Sequence, residues 1–279
     1  MSDALPTLPA GWRWEHQDGL VLLRSRRLEA LGAPHAFTTR AGGVSAPPYD
    51  TLNMGRAVGD APWAVRSNRA RVLAALGRLL DHQVEASQVH GAAVAVVDAS
   101  HRGAKMPGAD GMATRDPAVV LAVHCADCVP VLLADPAHGA VAAVHTGWRG
   151  TAAGASLAAV RAMAEAFGSR PHELVAAVGP AIGPCCYEVD APVAAHFAHW
   201  PWHDRVLAAA GRGERDDPEG RWRLDLWEAN RLQLESSGLP AASISTAPLC
   251  TACHRAIFYS HRRDGLTGRM GALIAPPRP

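Results

Sequence analysis

The chain has 279 residues, with 27 basic and 26 acidic side chains, a formal charge of +1 and an apolar fraction of 48%. That apolar content is enough for a buried core and excludes wholesale disorder, and the length suits one large domain or two closely packed ones. A balance so near zero leaves no global field to collect nucleic acid or an anionic membrane, so any anion must be held locally.

Lys105 is the single lysine, the other 26 basic residues being arginine, which argues against a Schiff-base or P-loop lysine and favours guanidinium forks. The segment Met1 to Gly11 lacks the basic-then-apolar layout of an export signal. Leu174 to Tyr187 is uncharged but short, and two Gly-Pro pairs break it. The expectation is a cytoplasmic protein with no membrane contact, no nucleic acid and no protein partner.

Residues 1–34 read as an entry segment, with a strand at Leu20 to Leu23. His35 to Arg40 reads as a second strand, stopped by Gly42-Gly43, and Ala41 to Gly59 is an irregular loop rich in Gly, Pro, Ser and Asn. The apolar spacing of Val65, Val72, Leu73, Leu76, Leu79 and Leu80 predicts a helix over Trp63 to Leu80. Strands follow at Ala92 to Val97, Ala118 to His124, Val129 to Leu133 and Val141 to His145, all rich in small or β-branched residues. A nearly all-apolar helix is expected from Ala152 to Phe167, then a strand at Leu174 to Val178. Gly211 to Gly220 reads as an exposed excursion. Asp225 with Glu228 forms a capping box for a helix from Leu226 to Ser236. Strands return near Ser243 to Ala247, Ala256 to Tyr259 and Met270 to Ile274. Without a regular βαβ rhythm or a linker, the fold class is α+β, with mixed sheets flanked by helices and one catalytic domain over 35–279.

Three strand ends carry ligand-type residues in glycine-rich or polar settings: Gln88-Val89-His90-Gly91, Ala126-Asp127-Cys128 and His145-Thr146-Gly147-Trp148-Arg149-Gly150. His90, Cys128 and His145 make a three-donor set that leaves a fourth position open, the catalytic pattern for zinc. The plainer alternative is two hydrogen-bonded strand-end histidines and a buried cysteine. A third construction uses Cys128 as nucleophile and His145 as base without metal, with Asp127 beside them only if Asp127 and Cys128 lie in a turn. A four-thiolate site from Cys125/Cys128 and Cys250/Cys253 is disfavoured, because the gap between the pairs far exceeds the roughly 15–20 residues of a zinc ribbon. Arg149, just ahead of the helix expected near Ala152, and Arg40, in a glycine-rich loop, are candidate anion clamps. His196, His199 and His203 have no carboxylate-ligand pattern beside them and read as a helix end.

These segments together resemble a known family. They are Thr38 to Ser45 with Tyr49, Asn53 and Asp60; Gln88 to Gly91; Asp110-Gly111; Ala126 to Asp135; His145 to Gly150; Gly179 to Glu188; and Phe258 to Asp264. The sequence resembles the purine nucleoside phosphorylases formerly labelled multicopper polyphenol oxidase or laccase-domain proteins. The resemblance runs from about residue 35 to 274. It implies an α+β fold, zinc held by His90, Cys128 and His145, and phosphorolysis of adenosine, inosine and methylthioadenosine, with adenosine deamination besides. Related bacterial proteins have also been given a peptidoglycan-editing role. The sequence departs from the family at Cys125, an extra thiol, and at His261, where a bulkier aromatic is common.

Purine nucleosides and phosphate are then the expected partners. Arg40 and Arg149 would hold phosphate, and Ser45 and Asn53 would orient the sugar. For deamination, a zinc-activated water would attack C6 of adenine, with Cys128, Asp127 and His145 as catalytic residues and Asp127 as proton shuttle. Copper redox chemistry is disfavoured, because a trinuclear centre needs close histidine pairs and the chain has no His-x-His. The alternatives are a Cys/His hydrolase or amidase acting on a peptidoglycan precursor and a non-catalytic zinc- or nucleotide-binding protein.

Overall fold

The strands Val129–Asp135 and Ala140–Thr146 are buried at every position, which requires cover on both faces of their sheet. In the computed structural model, which describes residues 5–210 and 221–278, that cover is a second sheet on one side and helices on the other. The fold is α+β. A six-stranded mixed sheet runs Ile244–Thr246, Val175–Val178, Val129–Asp135, Ala140–Thr146, Gly111–Thr114 and Val94–Val96. A seven-stranded mixed sheet runs Trp12–Gln17, Leu20–Ser25, His35–Thr38, Met270–Ile274, Val120–Cys125, Gln83–Ala86 and Lys105–Met106. A small three-stranded sheet joins Glu188–Val189, Trp222–Leu224 and Leu207–Ala209.

Three apolar layers hold the sheets together. Leu23, Phe37, Leu121, Val123 and Ile274 of the larger sheet meet Met112, Leu132, Val141 and Ala143 of the smaller one. The outer face of the six-stranded sheet, through Val131, Leu133 and Val144, packs on the helices Ala155–Phe167 and Leu226–Ser236. The outer face of the seven-stranded sheet, through Leu22, Val120 and Leu273, packs on the helix Pro62–Ala75. No described helix is long and apolar enough to cross a membrane.

Several expectations change in detail. Residues 12–25 form a hairpin in the larger sheet, turning at Asp18 (φ 51°) and Gly19 (φ 79°). The helix begun at Pro62 stops at Ala75, before Gly77 (φ 65°). The helix expected from Ala152 is two helices, Trp148–Ala152 and Ala155–Phe167, parted by Gly154 at φ 78°. Arg149 therefore sits inside the first and not at the N-terminus of the second. Ala256 to Tyr259 is not a strand, although Phe258 and Tyr259 are buried. Asp225 caps the helix Leu226–Ser236 as expected, accepting from Glu228 N at 3.0 Å. The excursion expected at 211–220 lies outside the described residues.

Candidate functional site

The chain crosses between the two large sheets at one end of the sandwich. The connection from Gln83–Ala86 to Val94–Val96 carries His90, and the connection from Val120–Cys125 to Val129–Asp135 carries Cys128. Antiparallel pairing then sets His145 opposite Pro130 and Thr146 opposite Val129, beside Cys128. Three distant segments thus converge: the ligand atoms of His90, Cys128 and His145 lie within 4.8 Å of one another. The two imidazole rings meet edge to face, 5.0 Å apart.

Asp110 holds this arrangement. Its fully buried carboxylate accepts hydrogen bonds from the backbone N–H of Val89 (3.1 Å), His90 (2.9 Å) and Gly91 (2.7 Å) and pairs with His145 Nδ1 at 3.0 Å. His145 Nδ1 is thereby occupied, which leaves Nε2 to face the other two donors, the usual way a carboxylate orients a metal-binding histidine. Among the described non-glycine residues, φ is positive only at Asp18, Gln88, His90 and Asp127. Three of these four flank the cluster, so backbone strain is concentrated there. Gly147 lets the strand end approach the cluster closely, since a Cβ would lie 3.0 Å from Cys128 Sγ and 3.1 Å from His90 Cδ2 and press on both.

Burial opposes charge on Cys128, but the facing His145 overcomes it and brings the thiol down to about 6. Burial likewise opposes charge on His145, and the Cys128 thiolate with Asp110 raises it to about 9. Burial raises Asp110 too, yet the hydrogen bonds from His145, Gly91 and His90 hold its carboxyl below the usual range. Without metal the pair is therefore a thiolate beside an imidazolium. These donors suit a single borderline-soft divalent cation.

The cluster opens into a cavity of about 370 Å³, within the range of small-ligand sites. Arg56, Arg69, Lys105 and Arg269 line it, with Glu85 as its only acidic side chain among the described residues. Glu85 pairs with Arg69 Nη2 at 2.8 Å and Arg56 at 3.3 Å. Arg69 is fully buried and its Nη1 has no hydrogen-bond partner among the described residues. Gln88 exchanges two hydrogen bonds with the backbone of His124, and the His124 ring also lines the wall. Cys125 and His261, the two family departures, both face this cavity.

The other sequence candidates lie elsewhere. Arg40 donates to Asp50 O (3.0 Å), Asp50 Oδ2 (3.0 Å) and Arg255 O (3.1 Å), and stacks over Tyr259. Ser45 Oγ donates to Asp60 Oδ2 at 2.7 Å. Asn53 bonds Gly55, Asp60 and Arg269 N and is fully buried. These three residues close the 40–60 loop and do not line the cavity. Arg149 is exposed and stacks 4.3 Å over Trp148. Both carboxylate oxygens of Asp127 are engaged, by Thr251 Oγ1 at 2.7 Å and Arg262 N at 2.6 Å. Asp127 frames the Cys128 turn from behind and leaves the cavity side to Glu85. The histidines read as a helix end lie at helix ends: His196 caps the C-terminus of Ala191–Ala195, its ring 5.4 Å from that of Trp148, and His203 opens His203–Val206.

The chain and its fold are similar to known proteins. A family model described as multi-copper polyphenol oxidoreductase laccase matches residues 34–276. A purine nucleoside phosphorylase of Deinococcus radiodurans is 45% identical over 265 residues, 93% of this chain and 94% of that protein. The purine nucleoside phosphorylase YlmD of Geobacillus stearothermophilus is 40% identical over 258 residues, 87% of this chain and 90% of that one. The crystal structure of YlmD from Geobacillus stearothermophilus superposes with a TM-score of 0.86 at 38% identity, covering 97% of this chain and all of that one. The hypothetical protein YfiH of Bacillus licheniformis does so with a TM-score of 0.87 at 35% identity, over 96% of this chain and all of that one.

Proposed function

The chain belongs to the purine nucleoside phosphorylase family that carries the multicopper-oxidoreductase laccase label, and from that premise we propose that it is a zinc-dependent purine nucleoside phosphorylase with adenosine deaminase activity. The observation that carries this reading is the cavity itself, where four cations face one carboxylate and the wall ends on a three-donor cluster. His90, Cys128 and His145 would hold the ion, which supplies Lewis acidity when bound.

In phosphorolysis a phosphate oxygen forms the bond to the anomeric carbon, and the glycosidic C–N bond breaks with its electron pair leaving on the purine. Arg56, Lys105 and Arg269 hold the phosphate, in place of Arg40 and Arg149, because their side chains reach the cavity. Arg69, held by Glu85 and Met54 O, backs that wall with a fixed positive charge. Burial keeps His124 neutral, well below the ordinary imidazole value, so its ring serves as a hydrogen-bonding wall and adds no charge. For deamination of adenosine to inosine and ammonia, Glu85 is the carboxylate placed to move protons, because Asp127 is closed off.

The test is to incubate zinc-loaded protein with adenosine, with and without phosphate, and to resolve adenine, inosine and hypoxanthine by chromatography, with His90→Ala as control. Adenine that forms only with phosphate supports phosphorolysis, and inosine formed without phosphate supports deamination. Neither product above the His90→Ala background would overturn the proposal. One observation favours a second reading, a cysteine hydrolase or amidase. Cys128, His145 and Asp110 form a thiolate–imidazolium–carboxylate line when no metal is bound. Activity on amides that survives complete chelation and is abolished by thiol alkylation would select it.

A further inference from the structure

Far along the chain from the cavity-lining cysteines, four thiols meet for which the proposed reaction has no use. Val175–Val178 and Ile244–Thr246 are parallel neighbours, so the loops that leave them run out side by side. Ala181 bridges to Cys250, and Thr251 N donates to Ala181 O at 2.9 Å. In the first loop Cys186 N and Tyr187 N both donate to Gly183 O at 2.9 Å, a tight turn that presents Cys185 and Cys186 together. In the second loop the Cys-x-x-Cys spacing presents Cys250 and Cys253. The four Sγ atoms lie within 4.8 Å of one another, and Cys253 Sγ is 3.6 Å from that of Cys185 and 3.4 Å from that of Cys186.

We propose that Cys185, Cys186, Cys250 and Cys253 form a second, closed zinc site of four thiolates, distinct from the His90, Cys128 and His145 cluster. Tetrahedral zinc with Zn–S bonds of about 2.3 Å sets its sulfurs roughly 3.8 Å apart, close to the spacing here. Gly183 N donates to Cys250 Sγ at 3.3 Å, the amide-to-sulfur contact that steadies a metal-bound thiolate. All four are free cysteines, and four sulfurs this close cannot all be ionised without a cation among them. Arg223 Nη1, bonded to Pro184 O (3.1 Å) and Cys185 O (2.7 Å), places a fixed positive charge beside the loop. Four protein ligands leave no open position, so this ion is structural.

The site ties down the frame behind Cys128. Thr251, between two of the ligands, donates to Asp127 Oδ1. Tyr187, next to Cys186, lies 5.0 Å beneath the guanidinium of Arg262, whose backbone N–H holds Asp127 Oδ2.

Metal content by plasma mass spectrometry, on protein purified under a phosphine reductant, tests it. Wild type is expected to carry two zinc ions per chain. The His90→Ala/His145→Ala protein should keep one, with four sulfur neighbours at about 2.3 Å by X-ray absorption. The Cys185→Ser/Cys253→Ser protein should keep only the other. A folded His90→Ala/His145→Ala protein without zinc would overturn the proposal, as would an intact mass two hydrogens light, the sign of a disulfide among these thiols. One zinc in wild type that is kept in full by His90→Ala/His145→Ala would instead sink the metal reading of the cavity and leave this site standing.

Discussion

Replacing Asp110 with asparagine removes one negative charge and almost no volume from a carboxylate that accepts four hydrogen bonds. Three come from the amides of Val89, His90 and Gly91, and the fourth joins it to His145 Nδ1. Asparagine presents one oxygen, so its NH2 group must oppose at least one of those N–H donors. The loop that holds His90 at φ 63° loses part of its tether, and His145 loses the partner that fixes its ring. A buried amide left unsatisfied costs about 1–3 kcal/mol of stability. Losing such a partner of a metal-binding histidine weakens metal affinity by roughly 10–100-fold, about 1.4–2.8 kcal/mol. Half-reactivation of chelator-treated Asp110→Asn against a buffered zinc series reads that affinity, with urea unfolding for stability. Unchanged zinc affinity would refute the reasoning, because it would mean that the strand ends orient His90 and His145 without the carboxylate.

Gly147→Ala places a methyl group 3.0 Å from Cys128 Sγ, and we expect loss of the zinc held by His90, Cys128 and His145, with inactivity, in a protein with a native circular dichroism spectrum; a metal content equal to that of wild type would contradict this. Lys105→Met removes an exposed cation from the cavity rim, and loss of one charge-assisted hydrogen bond should raise KM for phosphate by about tenfold or more, with KM for adenosine little changed. His35 is buried, accepts from Ser25 N on Nε2 at 2.9 Å and pairs with Ala33 O through Nδ1, and burial lowers it to about 4. Its folded pKa lies below the unfolded value of about 6.5, so the unfolded chain takes the proton first and stability falls as pH drops through that window. The loss reaches about 2 kcal/mol by pH 5, and urea midpoints of wild type against His35→Asn should show a shallower acid slope in the variant. Equal slopes would show that His35 contributes none of it.

Local chemistry made much of the fold legible. β-branched runs such as Val129 to Leu133 and the capping pair Asp225 and Glu228 act over a few residues, and the structure realises them as the strand Val129–Asp135 and the helix Leu226–Ser236. The Asp18-Gly19 turn was equally local, and it marks the hairpin of residues 12–25 that the apolar run alone did not reveal. Gly154 also lay in plain view, but whether a glycine interrupts a helix depends on what packs around it. The Gly211 to Gly220 excursion is legible only as composition.

At the site the division is sharper. Sequence determined which residues have ligand chemistry: His90, Cys128 and His145 at strand ends, with Asp110-Gly111 among the segments that carry the family resemblance. Only the tertiary structure decided who meets whom. It gave Asp110 to His145, closed Asp127 on Thr251 and Arg262, and turned Ser45 and Asn53 into loop ties. It also drew Arg56, Arg69, Lys105 and Arg269 to one wall and set the Cys250/Cys253 pair against Cys185 and Cys186 rather than against Cys125 and Cys128. The physical reason is range. Propensity, capping and turn preference act between neighbours in the chain, whereas hydrogen bonds, charge pairs and metal donors act between neighbours in space, and those are fixed only once two sheets have packed and their crossings are set.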